Sequence, residues 1–394
     1  MEKDIVIIDG VRTAIGKFNG SLKDFGATDL AAIVIKGLLD KTSIDKASVD
    51  EVILGCVGQA SENAFISRVA ALNAGLPAEV SAQTVNRLCA SGLQAISTAS
   101  IQIESGFADV VIAGGAESMT NLPFYLRNAR FGYRMGHGKL EDGLITALSD
   151  PFSQNHMGIT AENIAEKYKI SRNEQDQYAA KSQQKACDAI KKGYFKNEII
   201  PVSIKVKNKE DINFDTDEHP RPEVTLEDLA KLKPAFKEGG TVTAGNSSGI
   251  NDGAAALLVM ERKNALRMGL KPKLKIIDSA SAGVPPEIMG TGPIPAVKKL
   301  LNKTKLNIND IGLIELNEAF AVQAIACIRE LGLDEKRVNV DGGAIALGHP
   351  IGATGAYITV KLLNEMCREN IRYGIVALCI GGGQGLATLF ELVN

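Results

Sequence analysis

The sequence lacks the features that mark several large classes of protein. Its six cysteines are scattered without a C-x-x-C pair, which argues against a zinc cluster and a disulfide framework and makes reduced thiols the expected state. No apolar run reaches the about 18 residues of a membrane-spanning helix. Basic and acidic residues are nearly balanced, 44 against 46, so no overall field attracts nucleic acid or an anionic membrane. Any anionic ligand must therefore be bound locally.

The start of the chain also lacks a cleavable apolar segment. The stretch "MEKDIVIIDGVRTAIG" carries acidic residues inside its first strand-like run, so we expect a cytoplasmic protein. With 394 residues, 45% of them hydrophobic and 23% charged, the chain has the composition of a globular protein with two or more packed units.

Apolar runs alternate with helical patterns such as "DLAAIVIKGLLDK". The strand-like runs are "DIVIID", "EVILGCV", "DVVIAGG", "LKIIDSA", "GLIELN" and "GIVALCIGGG". This alternation predicts an α/β architecture with a layered sheet. Residues 121–248 differ, because they hold an aromatic and charged stretch, a polar helix and an irregular segment. A structureless loop of that length is implausible, so we interpret this region as an inserted subdomain.

An internal repeat divides the rest of the chain. Cys89 is followed by "ASG", a helix and "DVVIAGG", whereas Gly352 is followed by "ATG", a helix and "GIVALCIGGG". The segments "LDKTSIDKASVDEVILG" and "LNKTKLNINDIGLIEL" match in the same way upstream, with a one-residue gap. We therefore predict a gene duplication and two halves related by a pseudo-twofold axis.

One cysteine stands where a reactive thiol would be useful. Ser91 and Gln94 fit an S-x-x-Q capping box, which predicts that a helix starts there and that Cys89 lies just before its positive end. That environment favours the thiolate, and a free thiol with a pKa of roughly 8.5 needs such help. Taken alone, Cys89 fits a small buried apolar residue better than a nucleophile.

Two further residues lie in comparable contexts in the second half. His349, one of only four histidines, is flanked by glycine and proline just ahead of the second helix of the repeat. Its placement mirrors Cys89, so a pseudo-twofold axis would bring the two together. Cys379 follows a strand directly and precedes three glycines, where backbone amides can point into a cavity.

These contexts, taken together, resemble a known family. "NRLCASG", "HMGITAEN", "GTVTAGNSSGINDGAA", "LNEAF", "GGAIALGHPIGATG" and "LCIGGGQG" resemble the signatures of the thiolases, most closely the acetyl-CoA C-acetyltransferases. The resemblance implies a five-layered α-β-α-β-α fold of two duplicated halves with an inserted loop domain that binds coenzyme A. We expect residues 1–120 with 249–270 to form the N-terminal half, 121–248 the inserted domain and 271–394 the C-terminal half.

The resemblance also implies a mechanism. Cys89 corresponds to the nucleophile that is acylated, His349 to its base, and Cys379 to the acid and base that serves the α-proton and the departing thiolate. Asn317 matches the residue that holds a water which, with His349, forms an oxyanion hole for the enolate. The backbone N–H groups of Cys89 and Gly381 match a second hole, for the acyl-enzyme carbonyl.

The substrate path follows from the same resemblance. Coenzyme A and acyl-CoA are expected as substrates, with no cofactor, no metal, no nucleic acid and no membrane as partners. The positions that match its lining are Leu148, His156, Met157, Arg221, Ala244, Ser248, Met289, Ala319 and Phe320. For an arbitrary arginine such as Arg221, a surface ion pair is the more common role. Met289 and the "HMG" triplet favour a short acyl pocket.

The predicted activity is the reversible condensation of two acetyl-CoA to acetoacetyl-CoA, by a homo-oligomer, dimer or tetramer, in lipid metabolism. The alternatives are a 3-ketoacyl-CoA thiolase for longer chains, because "NRLC" occurs there too, and a non-catalytic acyl-CoA carrier. A ketoacyl synthase is disfavoured by Cys379 and by the coenzyme A positions. Where many relatives read "GQNPAR", residues 63–68 read "NAFISR", so the loop near the subunit interface and the pocket is expected to differ.

Overall fold

All six predicted strand runs form strands in a computed structural model, which describes residues 3–207 and 209–393. The strands are β1 Ile5–Arg12, β2 Gly16–Lys17, β3 Glu51–Gly55, β4 Ser81–Val85, β5 Val110–Ser118, β6 Phe124–Tyr125, β7 Glu141–Asp142, β8 Val202–Ile204, β9 Ile212–Phe214, β10 Asn251–Glu261, β11 Leu274–Gly283, β12 Leu313–Leu316, β13 Tyr373–Ile380 and β14 Gln384–Leu392. The α-helices are α1 Ala27–Thr42, α2 Ile66–Asn73, α3 Ser91–Ser105, α4 Gly143–Ala147, α5 Met157–Tyr168, α6 Arg172–Lys191, α7 Leu226–Ala230, α8 Arg262–Arg267, α9 Pro293–Thr304, α10 Ala321–Leu331, α11 Ala344–Leu347 and α12 Thr354–Glu369.

Two half-sheets carry the fold. One has the order β4-β3-β5-β10-β1 and the other the order β12-β13-β14-β11, and β1 joins them by a short antiparallel pairing with β11. In one half β3 is parallel to β5, and in the other β12 is parallel to β13. The strand that follows each pair is antiparallel to its neighbour, β10 to β5 and β14 to β13. The matching order and direction confirm the duplicated architecture that the repeat predicted.

Both faces of each half-sheet are buried, which produces the five layers. Along β1, Ile5 and Ile7 face the central core with α3 and α12, whereas Val6 and Ile8 face the outer core with α1 and α2. This period of two is what a strand covered on both sides requires. The second half-sheet packs its outer face against α9 and α10 in the same way. The α-β-α-β-α fold class is confirmed.

The two central helices approach each other closely at two glycines. A Cβ on Gly92 of α3 would lie 2.6 Å from the backbone nitrogen of Ala356, and one on Gly355 of α12 would lie 2.3 Å from that of Leu93. Each helix therefore needs a residue without a side chain at the same position of the repeat. Ile96 and Ile103 of α3 belong to the central core that both helices share.

The connection between β5 and β10 is long, whereas that between β13 and β14 is the three-residue turn 381–383. The long connection contains α4 to α7 and two small two-stranded sheets, so it is a folded region and not an open loop. Its helices α5 and α6 pack against α10 and α11 of the second half. This contact places the connection over the loops that follow β12 and β13.

The predicted capping box is wrong, although the predicted helix start is right. Helix α3 begins at Ser91, but no side chain caps its first turn. The Ser91 hydroxyl donates to the carbonyl of Leu88 and accepts from the N–H of Arg87, while Gln94 donates to Thr98. Serine can satisfy nearby backbone groups in several ways, and here the preceding turn is closer than the helix interior.

No helix within the described part of the chain combines the length and the apolar character that crossing a membrane requires.

Candidate active site

A cavity of about 670 Å³ opens where the long connection meets loops of the two halves. All nine positions predicted to contact coenzyme A line it, namely Leu148, His156, Met157, Arg221, Ala244, Ser248, Met289, Ala319 and Phe320. Three of the five predicted catalytic residues also line it, namely Cys89, His349 and Gly381. Residues more than 200 positions apart thus share one wall.

Cys89 lies in a half-buried position two residues before the start of α3. Burial raises the pKa of its thiol to about 11, and the backbone N–H groups of Gly381 and of Cys89 itself oppose that shift. The sequence suggested that the helix end favours the thiolate, but desolvation is the larger effect on the pKa of this thiol. The resting thiol is protonated and needs a base.

His349 has the properties of that base. Burial lowers the pKa of its imidazole to about 4, so the ring is neutral at neutral pH. Its Nδ1 lies 2.6 Å from the Thr354 hydroxyl oxygen, and that hydroxyl also lies 2.9 Å from the carbonyl oxygen of Pro350. A hydroxyl has one hydrogen, and a carbonyl can only accept, so Thr354 donates to Pro350 and accepts from Nδ1–H.

This assignment fixes the tautomer of His349. With its hydrogen on Nδ1, the ring has a lone pair on Nε2, which is buried and meets no hydrogen-bond partner among the described residues. The backbone around the ring is held at two points, because the His349 N–H donates to Asn251 and the Tyr357 hydroxyl donates to the carbonyl of Gly348. The free Nε2 can therefore accept a proton inside the cavity.

The remaining two predicted catalytic residues lie behind the cavity wall. Cys379, near the end of β13, is fully buried among the side chains of Met157, Met289 and Phe320. Burial raises the pKa of its thiol well above the usual value, and charge on Cys89 raises it further. Asn317 directly follows β12, and neither polar atom of its buried side chain reaches a partner among the described residues.

The apolar part of the cavity is built around an aromatic stack. His156 is the N-cap residue of α5, and its Nδ1 accepts the N–H of Gly158. The His156 ring stacks on Phe236 with 4.7 Å between centroids, and Phe236 meets Phe320 edge to face at 6.1 Å. The exposed Arg221 at the rim forms no ion pair within the described residues, so the surface-pair role considered for it is absent here.

Sequence reasoning missed several residues of this site. Thr354 and Asn251 hold His349, and Phe236 holds His156. Thr354 lies within "GATG", where a hydroxyl five residues after a histidine at a helix start is a usable signal. Phe236 and Asn251 leave no such signal, because their contacts join segments distant in the chain.

Comparisons with known proteins agree over the whole chain. The model of the thiolase N-terminal domain matches residues 5–263, and that of the thiolase C-terminal domain matches residues 270–392. The chain belongs to the thiolase family. An acetyl-CoA acetyltransferase of Syntrophomonas wolfei is 52% identical to it, with 99% of this chain and 100% of the relative covered.

Solved thiolase structures superpose closely on this one. The acetyl-CoA acetyltransferase of Bacillus anthracis has a TM-score of 0.98 and 45% identity, with 100% of this chain and 99% of the other covered. Human mitochondrial 3-ketoacyl-CoA thiolase in complex with CoA has a TM-score of 0.96 and 43% identity, with coverages of 100% and 98%. This thiolase is therefore an acyltransferase. Residues 63–68 do not contribute to the lining of the cavity.

Proposed function

We propose that this thiolase is an acetyl-CoA C-acetyltransferase, which joins two acetyl-CoA molecules reversibly into acetoacetyl-CoA and coenzyme A. The observation that carries the proposal is the shared cavity wall, which holds Cys89 with two backbone N–H groups near its sulfur and also the neutral His349. The names of the Syntrophomonas wolfei relative and the Bacillus anthracis structure support the same activity.

The first half-reaction uses Cys89 and His349. As the Cys89 sulfur attacks the thioester carbonyl of acetyl-CoA, Nε2 of His349 takes the thiol proton. The carbonyl oxygen becomes an oxyanion that accepts from the N–H groups of Cys89 and Gly381. Collapse expels the coenzyme A thiolate, which takes a proton from Cys379. Cys379 is left as a thiolate, and His349 keeps the proton that it took from Cys89. The acetyl group then remains on Cys89.

The second half-reaction uses Cys379 as the base. Cys379 removes an α-proton from a second acetyl-CoA, and the enolate oxygen is stabilised by His349 and a water on the unpaired side chain of Asn317. The enolate carbon attacks the acetyl-cysteine carbonyl, a carbon–carbon bond forms, and the Cys89 sulfur leaves and takes its proton back from His349. Apolar burial of Cys379 suits this task, because it raises the pKa of the thiol and thereby makes the thiolate a strong base.

Coenzyme A and acyl-CoA are the proposed substrates, and no cofactor is assigned. The thioester end would lie near Leu148, Met157, Met289 and the stacked His156, and the nucleotide end near Arg221 at the rim. The remaining lining residues with predicted roles are Ala244, Ser248, Ala319 and Phe320. We also propose that residues 121–248 act as the coenzyme A domain between halves 1–120 with 249–270 and 271–394.

Chain length separates this proposal from its alternatives. Met289 is almost fully buried in the apolar wall, so we expect acetoacetyl-CoA to be cleaved at least about tenfold better, by kcat/KM, than 3-ketohexanoyl-CoA, a difference of about 1.4 kcal/mol. Coupled assays of thiolysis with both substrates test this. The variant Met289→Ala enlarges the acyl pocket and should reduce the ratio of the two kcat/KM values.

Each alternative has its own outcome in that assay. Equal rates on both substrates would indicate a 3-ketoacyl-CoA thiolase for longer chains, an activity that the name of the human mitochondrial relative carries. No turnover of either substrate, together with measurable acyl-CoA binding, would indicate a carrier.

We propose a homo-oligomer, dimer or tetramer. Strand β4 ends its half-sheet with one edge unpaired among the described residues, and the nearby Phe65 is 69% exposed. A second exposed apolar set lies in the long connection, where Phe131 and Met135 are 86% and 98% exposed. Native mass spectrometry should find two or four chains per particle, and a monomer would contradict the proposal. From the sequence and the family we also propose that the protein is cytoplasmic and acts in lipid metabolism.

A further inference from the structure

A buried carboxylate near the active site has no role in the steps above. Glu117 is the next to last residue of β5 and is fully buried. No cation within the described residues forms an ion pair with it, and burial raises the pKa of its carboxyl, a shift that backbone N–H donors oppose. A buried carboxyl group without a cation is costly unless hydrogen bonds compensate for its lost hydration.

The Glu117 carboxylate joins two loops. One oxygen accepts the N–H of Val57 at 2.9 Å and that of Gly352 at 2.9 Å, and the other accepts the N–H of Gly58 at 3.0 Å. The Cys56 thiol also points at this carboxylate, with 3.7 Å between sulfur and oxygen. The first loop follows β3, and the second carries the catalytic base, because Gly352 lies three residues after His349.

The internal repeat gives Glu117 a counterpart in the second half. The last residue of β3 pairs with Gly115, and the last residue of β12 pairs with Ala377 in the equivalent parallel ladder. Two positions farther along those neighbouring strands lie Glu117 and Cys379. The same register therefore places the buried carboxylate of one half where the other half has its proposed carbon acid and base.

Two more positions correspond in the same way. The residue after β3 is Cys56 and the residue after β12 is Asn317. The residue two positions before α3 is Cys89, and the residue two positions before α12 is Gly352. The N–H of Gly352, which Glu117 accepts, is thus the counterpart of the Cys89 N–H that was assigned to an oxyanion hole.

We propose that the fold contains an occluded second copy of its catalytic centre, in which the Glu117 carboxylate fills the counterpart of the oxyanion hole and positions the loop that carries His349. Glu117 is a positioning residue, which acts through Gly352 and does not touch the substrate. This inference rests on the proposed function, in which His349 is the catalytic base. It states that a carboxylate outside the cavity holds that base in position.

The surroundings of Gly352 leave little room for another arrangement. A Cβ at this position would lie 2.6 Å from a Glu117 oxygen and 2.9 Å from Cα of Cys56. The loop backbone is therefore pressed against the carboxylate on one side, while Thr354 and Asn251 fix the His349 ring and backbone on the other. Loss of the carboxylate would release the loop at Gly352. The residues that line the cavity would remain chemically unchanged.

Two substitutions test the role of the carboxylate. Glu117→Gln keeps its length but puts an NH2 group against a backbone N–H, and Glu117→Asp keeps the charge but withdraws it by about 1.5 Å. We expect kcat to fall by about 10-fold to 100-fold in both variants, since a shift of about 1 Å in a catalytic group costs that much. KM for acetoacetyl-CoA should change by less than about threefold, because the substrate contacts remain.

The matched control is Asp50→Asn. Asp50 accepts the backbone N–H groups of Asp109 and Val110 at the opposite end of β5, so the substitution removes a similar clasp far from His349. Its kcat should equal that of the unmodified protein. The rate at which iodoacetamide alkylates Cys89 gives a second readout. It should be reduced at neutral pH in the Glu117 variants and approach the unmodified rate as alkaline pH ionises the thiol without His349.

The outcomes separate the inference from the proposed function. If the unmodified protein forms no acetyl adduct on Cys89, the proposed function fails. If it does, and both Glu117 variants keep kcat and the alkylation profile, the positioning role fails alone. If both variants lose their folded thermal transition while Asp50→Asn keeps it, Glu117 only stabilises the fold and the proposal is rejected.

Discussion

The variant Cys89→Ser is expected to form no acetyl-enzyme and to lose at least about 10⁴-fold in kcat, the scale seen when a nucleophile is removed from other acyl-transfer enzymes. The Cys89 thiol already needs help, because burial raises its pKa to about 11. A serine hydroxyl is a far weaker acid in the same place, and His349 with a pKa lowered to about 4 is too weak a base to ionise it. Mass spectrometry after incubation with acetyl-CoA measures the adduct directly.

Cys367→Ser is the control for this experiment. Cys367 is an exposed residue of α12 with a free thiol and does not line the cavity, so its replacement should leave the adduct in place. An acetyl adduct that persists in Cys89→Ser would move the nucleophile to another residue. Loss of the adduct only in Cys89→Ser would support the assigned role.

The variant Cys379→Ser is expected to separate the two half-reactions. Acetyl transfer to Cys89 should remain detectable though slower, because a coenzyme A thiolate can leave without a proton. Exchange of the α-protons of acetyl-CoA and net condensation should fall by about 10³-fold, since removal of a proton from carbon depends on a positioned base. Burst labelling with radiolabelled acetyl-CoA measures the first step, and deuterium uptake measures the second.

Another buried cysteine supplies the control for this second experiment. Cys327 in α10 is fully buried, its thiol donates to the carbonyl of Gly290, and it does not line the cavity. Cys327→Ser should therefore change stability more than the exchange rate. Condensation at the unmodified rate in Cys379→Ser would make Cys379 a packing residue and would contradict the mechanism with two cysteines.

Much of the fold could be predicted because its pattern is local. Strands covered on both faces appear as continuous apolar runs, and the six runs in this sequence are all strands. The repeat around "ASG" and "ATG" predicted the two halves, and close approach at Gly92 and Gly355 explains why both copies keep a glycine. Strand β10 contains an apolar run of the same kind, "AAALLVM", which was not assigned to a strand from the sequence, whereas β4, "SAQTV", contains no such run.

The candidate site was predicted less evenly. All nine proposed coenzyme A positions line one cavity, which periodicity alone could not have established and the family resemblance supplied. The capping box at Ser91 was wrong, because a hydroxyl selects among several backbone groups by small differences of distance. The expected effect of the helix end on Cys89 covered only one contribution, because the pKa of this thiol depends more strongly on desolvation by the whole surroundings.

The sequence by itself determined the family, the duplicated α/β plan and the residue types at the reactive positions, because each of these is written in short contiguous segments. Only the tertiary structure decided the tautomer of His349, the buried state of Cys379 and the clasp of Glu117 on Gly352. These properties depend on which atoms remain within about 3 Å after folding, and the partners of Glu117 lie on loops that the chain order separates widely. Protonation and positioning follow from those contacts, so they belong to the folded molecule alone.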